Sequence, residues 1–270
     1  MLHVSIDLVA LMRRLAFADS VQAGTGFCGR LTPTVHLIGT IGILIAVALA
    51  DAASVAAGLL VGVTLLTVYS GVPLWLFAGR VLPVTLLSSV VVLPQIVMLN
   101  GTPLAGIGGL TVTVEGVTYV GTFALRVAAS VAAVTSLVTT TRFTAVTGAA
   151  RRLGIPHAIV TIIEVTYRYL KLSAADLHVM LIARRSRGGG RSNLRESWRD
   201  LSGVSGTFVM RSLARGERVE RAARARGGRN GASIRRSAEP IGSRDVGFLL
   251  LAAVAVVVAL TQGGIGWGLQ

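Results

Sequence analysis

The sequence contains few charged residues, few aromatic residues and only one cysteine. Of its 270 residues, 14% are charged and 5% are aromatic, and Cys28 is the single thiol. One cysteine excludes an intrachain disulfide and any metal site built from several cysteines. The sequence also lacks the phosphate-binding GxxxxGK[ST] loop, so nucleotide chemistry is expected to belong to a partner. Soluble domains are about one quarter charged, so this composition argues for a membrane protein.

The chain is rich in apolar and basic side chains, and the two are unevenly distributed. Hydrophobic residues make up 53% of the chain, the mean hydropathy is +0.71 and the formal net charge is +14. Residues 142–245 hold 21 of the 26 basic and 8 of the 12 acidic side chains, a net charge of +13. This pattern predicts an N-terminal membrane domain over 1–141, a basic cytoplasmic domain over 142–245, and a final transmembrane helix with an external tail over 246–270.

Five apolar stretches are long enough to cross a bilayer, which takes roughly 17–25 helical residues. They cover residues 34–50, 52–69, 81–99, 117–138 and 246–262. The loops that contain arginine all fall on one side, which predicts a multi-pass protein of the cell membrane with a cytoplasmic N-terminus. An apolar face over residues 8–15 predicts a helix on the membrane surface before the first span. Alternating Leu110, Val112 and Val114 in the outer loop predict a short strand or hairpin.

Two long amphipathic helices are predicted in the basic segment, one from Ile159 onward and one beginning near Glu196. Each has a charged face, so both are expected to lie along the cytoplasmic surface. They end in the related motifs Ser186-Arg187-Gly188 and Ala225-Arg226-Gly227.

The repeated motif can be a helix end, a docking tip, or both. Glycine just past a helix closes it in the left-handed conformation, and arginine in the last turn opposes the helix dipole. A guanidinium on a rigid helix end can also form two parallel bonds to a carboxylate. Because Arg187 and Arg226 lie 39 positions apart on two separate helices, they suit a two-fold dimer with two equivalent sockets.

Several stretches carry a resemblance to a known family. Residues 139–170 read TTTRFTAVTGAARRLGIPHAIVTIIEVTYRYL, and ARRSRGG and RSLARGERVERAARARGG follow them. Near the first span, residues 31–37 read LTPTVHL, and the outer loop contains GLTVTVEG. Together these resemble the transmembrane coupling subunit of energy-coupling factor (ECF) transporters, most closely the cobalt/nickel branch. The similarity is strongest over residues 139–229.

The resemblance implies an all-α polytopic membrane protein that is a non-catalytic subunit of an importer. Such a subunit joins two ATP-binding cassette ATPases, which bind ATP and magnesium, to a small substrate-binding membrane subunit. It transmits the ATP-driven closure of the ATPases for uptake of cobalt, nickel or a vitamin. The ATPase-coupling residues would be the two motifs, Ser186, Arg187 and Gly188 with Ala225, Arg226 and Gly227. The chain itself is expected to bind no cofactor, metal or nucleic acid.

Three positions depart from the family pattern. Thr32 and His36 stand where the family usually has Asp and Lys, and Arg142 replaces a common proline. These departures weaken the prediction of the substrate branch but leave the arginine motifs intact.

Four side chains have two readings each. Arg126, expected near the middle of the fourth span, either contacts another membrane subunit or bonds helix carbonyls or reaches outward. Tyr167, Arg168 and Tyr169 either form part of a subunit junction or pack the helix.

Two other functions are possible alternatives for the whole chain. They are an ordinary ABC permease and a membrane-anchored protein that binds anionic lipid or nucleic acid.

Overall fold

The computed structural model describes residues 26, 28–98, 101–107, 110–187, 194–227 and 242–266. Its contacts divide the chain into two units, which are described separately. The first, called the bundle, contains the described residues of 26–154 and 242–266. The second, called the helix pair, contains the described residues of 155–227. The predicted surface helix over residues 8–15 lies outside the described residues.

The described chain is built almost entirely from helices. In chain order they are α1 Pro33–Leu49, α2 Ala53–Tyr69, α3 Leu74–Val92, α4 Gln95–Met98, α5 Val114–Thr140, α6 Phe143–Arg152, α7 His157–Arg187, α8 Leu194–Ala225 and α9 Ser243–Gly266. Strands β1 Pro103–Ile107 and β2 Leu110–Thr113 come between α4 and α5, and a 3-10 turn over Cys28–Arg30 precedes α1. Helices α7 and α8 form the helix pair, and all other elements belong to the bundle.

Helix α5 is the central element of the bundle and contacts α1, α2, α3 and α4. Its buried face is made of small side chains, of which Ala129 and Ala132 are fully buried. Small residues let neighbouring helix backbones approach closely in membrane proteins. Helix α1 packs against α9 in the same way. There, a Cβ added to Gly39 would lie 2.2 Å from the ring of Phe248, so only glycine fits.

The lengths of the apolar helices confirm an all-α polytopic membrane protein. Within the described residues, Leu74–Met98, Val114–Thr140 and Ser243–Gln262 are long and apolar enough to cross a bilayer. Helices α1 and α2 are also apolar but have 17 residues each, the lower limit for a span. The third apolar segment begins at Leu74 rather than at residue 81, and Pro83 lies inside its first helix. Proline is tolerated in membrane helices because neighbouring groups satisfy the freed carbonyls.

The predicted strand is one half of an antiparallel hairpin. Strands β1 and β2 pair Ala105 with Val112 and Ile107 with Leu110. The hairpin continues directly into α5, where the side chain of Thr113 accepts a hydrogen bond from Gly116 N–H at 3.2 Å and caps the helix. The Glu115 carboxylate accepts a 2.8 Å bond from the backbone N–H of Thr102. These bonds fasten both ends of the hairpin to the start of α5.

Helix α6 was not predicted from the sequence. It begins at Phe143, three residues after the last residue of α5, packs against α1 and contains the buried Ala149. Its ten residues are too few for a clear apolar periodicity, and Arg151 and Arg152 in its last turn favour an exposed basic loop. The sequence therefore indicated a loop where the bundle has a short helix.

Candidate functional site: two helices that end in arginine

The helix pair consists of two helices of nearly equal length. Helix α7 has 31 residues and α8 has 32, so each is about 45–50 Å long at a rise of 1.5 Å per residue. Pro156 starts α7, since its carbonyl accepts the first bonds from Ile159 and Val160 N–H at 3.0 and 3.3 Å. Gly154, at φ +93°, turns the chain just before this start. The sequence predicted both helices with these approximate limits.

Helices α7 and α8 run antiparallel. The carboxylate of Asp176 forms an ion pair with the guanidinium of Arg215, joining the two helices. Eight residues further along α7, the Arg184 guanidinium lies 3.9 Å from the position of a Cβ on Gly203, which is earlier in α8. Contacts that advance along one helix therefore retreat along the other.

The motif at the end of α8 has the geometry expected of a glycine-capped helix. Ala225 is the last helical residue, and the N–H of Arg226 still bonds the Ala222 and Ala223 carbonyls at 3.2 Å. Gly227 has φ +77° and donates to the Arg224 carbonyl at 3.1 Å. Residues that have a side chain rarely adopt this left-handed backbone conformation, so glycine is required there. Ala225, Arg226 and Gly227 are all exposed.

The motif at the end of α7 is described in part. Ser186 is exposed and its hydroxyl donates to the Ala183 carbonyl at 2.9 Å. Arg187 is the last residue of the helix, but its side chain and all of Gly188 lie outside the described residues.

The two motifs are related by position as well as by sequence. Asp176 and Arg215 are 39 residues apart, the same separation as Arg187 and Arg226. Each motif arginine therefore lies eleven residues beyond the ion pair on its own helix, about 16 Å along the axis. Because the helices are antiparallel, the tips point in opposite directions and lie on the order of 30 Å apart. The structure brings the ion pair together and keeps the two motifs apart.

Among the predicted interface residues of α7, Tyr167 has a contact within the helix. Tyr167 and Tyr169 are half-buried and Arg168 is exposed. The Lys171 ammonium lies 4.3 Å from the centre of the Tyr167 ring, a cation–π contact one helical turn away. This contact fits the packing reading for Tyr167, and the subunit-junction reading of all three stays a prediction.

Arg126 belongs to the bundle and bonds the end of α1. Its Nε donates to the Val47 carbonyl at 3.2 Å, and Nη2 donates to the Ala48 carbonyl. Its Nη1 is 4.0 Å from the Asp51 carboxylate in the turn before α2. The last carbonyls of a helix have no partner within it, so this side chain completes α1. Arg126 lies near the middle of α5, and its bonds at the α1–α2 turn fit the prediction that it bonds helix carbonyls.

The surface of α8 near its tip carries two salt bridges within the helix. Glu217 pairs with Arg221 at 3.9 Å, and Glu220 pairs with Arg224, each at a spacing of four residues. All four side chains are more than half exposed, so each pair contributes only about 0.3–0.5 kcal/mol.

Sequence reasoning missed Asp176 and Arg215. A signal was present, because these two oppositely charged residues are separated by the motif spacing of 39 residues. For metal binding, the described residues contain no group of three His, Cys, Asp or Glu side chains that could hold an ion. His36 is buried, lies 2.9 Å from the Thr141 hydroxyl through Nδ1, and meets the Phe248 ring edge-on.

Comparison with known proteins identifies the family to which the chain belongs. A profile of the family described as CbiQ, cobalt transport protein, matches residues 25–236, more than three quarters of the chain. The chain belongs to the CbiQ family. The match includes both arginine motifs and most of the bundle, so this CbiQ-family chain is a membrane component of a transport system.

A relative is found in Methanocaldococcus jannaschii. That protein, described as uncharacterized, is 31% identical over 156 residues, which are 57% of this chain and 53% of the relative. The CbiQ-family chain thus spans about half the length of the curated relative it matches.

Proposed function

We propose that this CbiQ-family chain is the coupling subunit of an ECF-type importer, a non-catalytic subunit that transmits movement from two ATPases to a small substrate-binding membrane subunit. The observation that carries the proposal is the pair of arginine-tipped helices. Each tip lies eleven residues from the Asp176–Arg215 ion pair, which marks the crossing point of α7 and α8. An ATPase dimer with two-fold symmetry presents two identical sockets. Two similar tips that point in opposite directions match such a partner.

The chemistry of the tips suits an acidic socket. Arg226 is exposed beside a glycine that ends the helix, so its guanidinium is accessible to a partner at the end of α8. A planar guanidinium bonds a carboxylate through two parallel N–H groups, which fixes its direction as well as its position. A long helix then carries a displacement of the socket back to the crossing point, because hydrogen bonds between successive turns connect the helix along its whole length.

In this proposal the cargo is cobalt or nickel, or a vitamin, and it is held by the small membrane subunit. The family description as a cobalt transport protein supports a metal cargo. The arginines close to the ends of the apolar helices, Arg30, Arg80 and Arg142, support an orientation with the N-terminus and the helix pair on the cytoplasmic side. Basic side chains near the anionic inner leaflet gain about 1 kcal/mol each.

Charge reversal at both tips tests the proposed function. Replacing Arg187 and Arg226 together with Glu should abolish co-purification of the ATPases from membranes, because carboxylates would then face carboxylates. The matched control is the double variant Arg211→Glu with Arg218→Glu, which makes the same change of charge at exposed positions of α8. The control should keep the ATPases.

Wild-type recovery of ATPases with the Arg187→Glu, Arg226→Glu variant would contradict the proposal. Mass spectrometry of the same preparation separates an ECF importer from an ordinary ABC permease. An ECF complex contains a third, small membrane subunit, and a permease that forms its own substrate path does not need one.

A further inference from the structure

We infer that Asp176 and Arg215 are positioning residues that fix the crossing point of α7 and α8 and thereby hold both arginine tips at equal reach. The inference rests on the proposed function, since equal reach matters only if both tips engage one two-fold partner. It assigns a role to two residues that lie within the helices, eleven positions from either tip.

The first argument is one of register. An ion pair between residues at equivalent positions of two antiparallel helices places a local two-fold axis through the pair, because each helix maps onto the other by the 39-residue offset. Sliding α7 against α8 by one turn would move both tips by about 5.4 Å relative to each other. It would also separate the Asp176 carboxylate from the Arg215 guanidinium. The ion pair thus selects the one register in which both tips lie eleven residues from the crossing.

The second argument comes from the remaining contacts. The salt bridges of Glu217 with Arg221 and of Glu220 with Arg224 lie within α8, so sliding α7 against α8 leaves them unchanged. The side chain of Arg215 is 31% exposed and that of Asp176 is 46% exposed. Half-exposed pairs contribute little to overall stability. The role of this pair is therefore to align the helices, because it forms in one register of α7 against α8 and is broken when either helix slides.

The distance between the tips tests this inference without the ATPases. Spin labels at Ala183→Cys and Ala222→Cys, both exposed and 39 residues apart, report the separation in the full chain after Cys28→Ala removes the native thiol. In purified protein, Asp176→Asn and Arg215→Gln should each broaden or shift the pulsed-EPR distance distribution. Glu217→Gln, which breaks a pair within α8, should leave the distribution unchanged.

A charge swap separates positioning from general damage. Asp176→Arg combined with Arg215→Asp restores an ion pair at the same crossing, and it should restore the narrow distribution that either single change loses. An unchanged distribution in Asp176→Asn, or a swap that behaves no better than the single variants, would overturn the inference.

Affinity for the co-expressed cognate ATPases gives the functional result. Each single variant should weaken binding by about two- to fivefold, the size of effect that ion pairs of this exposure produce, because the two tips no longer act together. The swap should return binding to within about twofold of wild type, by the same measure. If instead reversing the two tip arginines leaves ATPase binding intact, the proposed function fails, while the EPR result still decides whether this pair sets the register.

Discussion

Thr32 donates two hydrogen bonds to the carboxylate of Asp245, which lies 213 positions later in the chain. Its backbone N–H bonds Oδ1 at 2.9 Å and its hydroxyl bonds Oδ2 at 2.7 Å. The Gly242 N–H adds a 2.9 Å bond to Oδ2 from the turn before α9. One buried carboxylate therefore joins the starts of α1 and α9. Where the ECF family pattern usually has Asp at position 32, this chain has a hydroxyl that faces an acid from the last helix.

Replacing Asp245 with Asn should lower the free energy of unfolding of the bundle. The amide offers one acceptor oxygen for three donors, and an unsatisfied buried donor costs about 1–3 kcal/mol. Thermal unfolding of the purified protein in detergent measures the loss. Glu217→Gln, at an exposed site on α8, should leave the midpoint unchanged, and an equally small effect of Asp245→Asn would show that the junction is not stabilising.

Removing the guanidinium of Arg126 should also destabilise the bundle. Arg126→Leu removes the bonds to the Val47 and Ala48 carbonyls. Because the Val47 carbonyl keeps its bond from the Ala50 N–H and Ala48 is exposed, the expected loss is about 0.5–1.5 kcal/mol for each hydrogen bond. Arg126→Lys keeps the charge but not the forked geometry, so its loss should be intermediate. Arg80→Gln, at an exposed position of α3, is the control. A stable Arg126→Leu protein that no longer holds its membrane partner would favour the subunit-contact reading.

Cysteine labelling of intact cells tests the proposed orientation. Ser54, at the α1–α2 turn, and Ser186, at the α7 tip, are both exposed. A membrane-impermeant maleimide should label Ser54→Cys from outside and should label Ser186→Cys only after the cells are opened. The reverse pattern would place the helix pair outside the cell and contradict the proposal.

The native thiol provides the blank for this experiment. Cys28 is 2% exposed, and burial raises the pKa of its thiol, an effect that the hydrogen bond with Ser70 offsets only in part. A raised pKa lowers the thiolate fraction at neutral pH, and the thiolate is the reactive species. The otherwise unmodified protein should stay unlabelled at pH 7, and its labelling should increase as the pH is raised.

Local patterns made much of this fold predictable. The five apolar helices follow from the length of the apolar stretches, and the two amphipathic helices follow from hydrophobic periodicity. The hairpin follows from three alternating residues, Leu110, Val112 and Val114. The glycine cap at Gly227 was likewise expected from its place after an amphipathic helix. In each case the conformation depends on residues that are close together in the sequence, so the pattern can be recognised in one continuous stretch.

Long-range pairings were not predictable from one sequence. The bonds of Thr32 to Asp245, of Arg126 to the Val47 carbonyl, and of Asp176 to Arg215 each join residues at least 39 positions apart. Their formation depends on how helices pack, and no local pattern specifies it. The candidate site was therefore predicted as two separate tips, and the crossing that relates them came from the structure.

The equal eleven-residue arms of α7 and α8 restrict how the chain can change length during evolution. One residue inserted between Asp176 and Arg187 would rotate that tip by about 100° and advance it by about 1.5 Å, while the other tip stayed in place. An insertion in residues 188–193, between the two helices, would alter neither arm. Relatives that share this geometry should accumulate insertions and deletions between the helices and keep each arm at constant length.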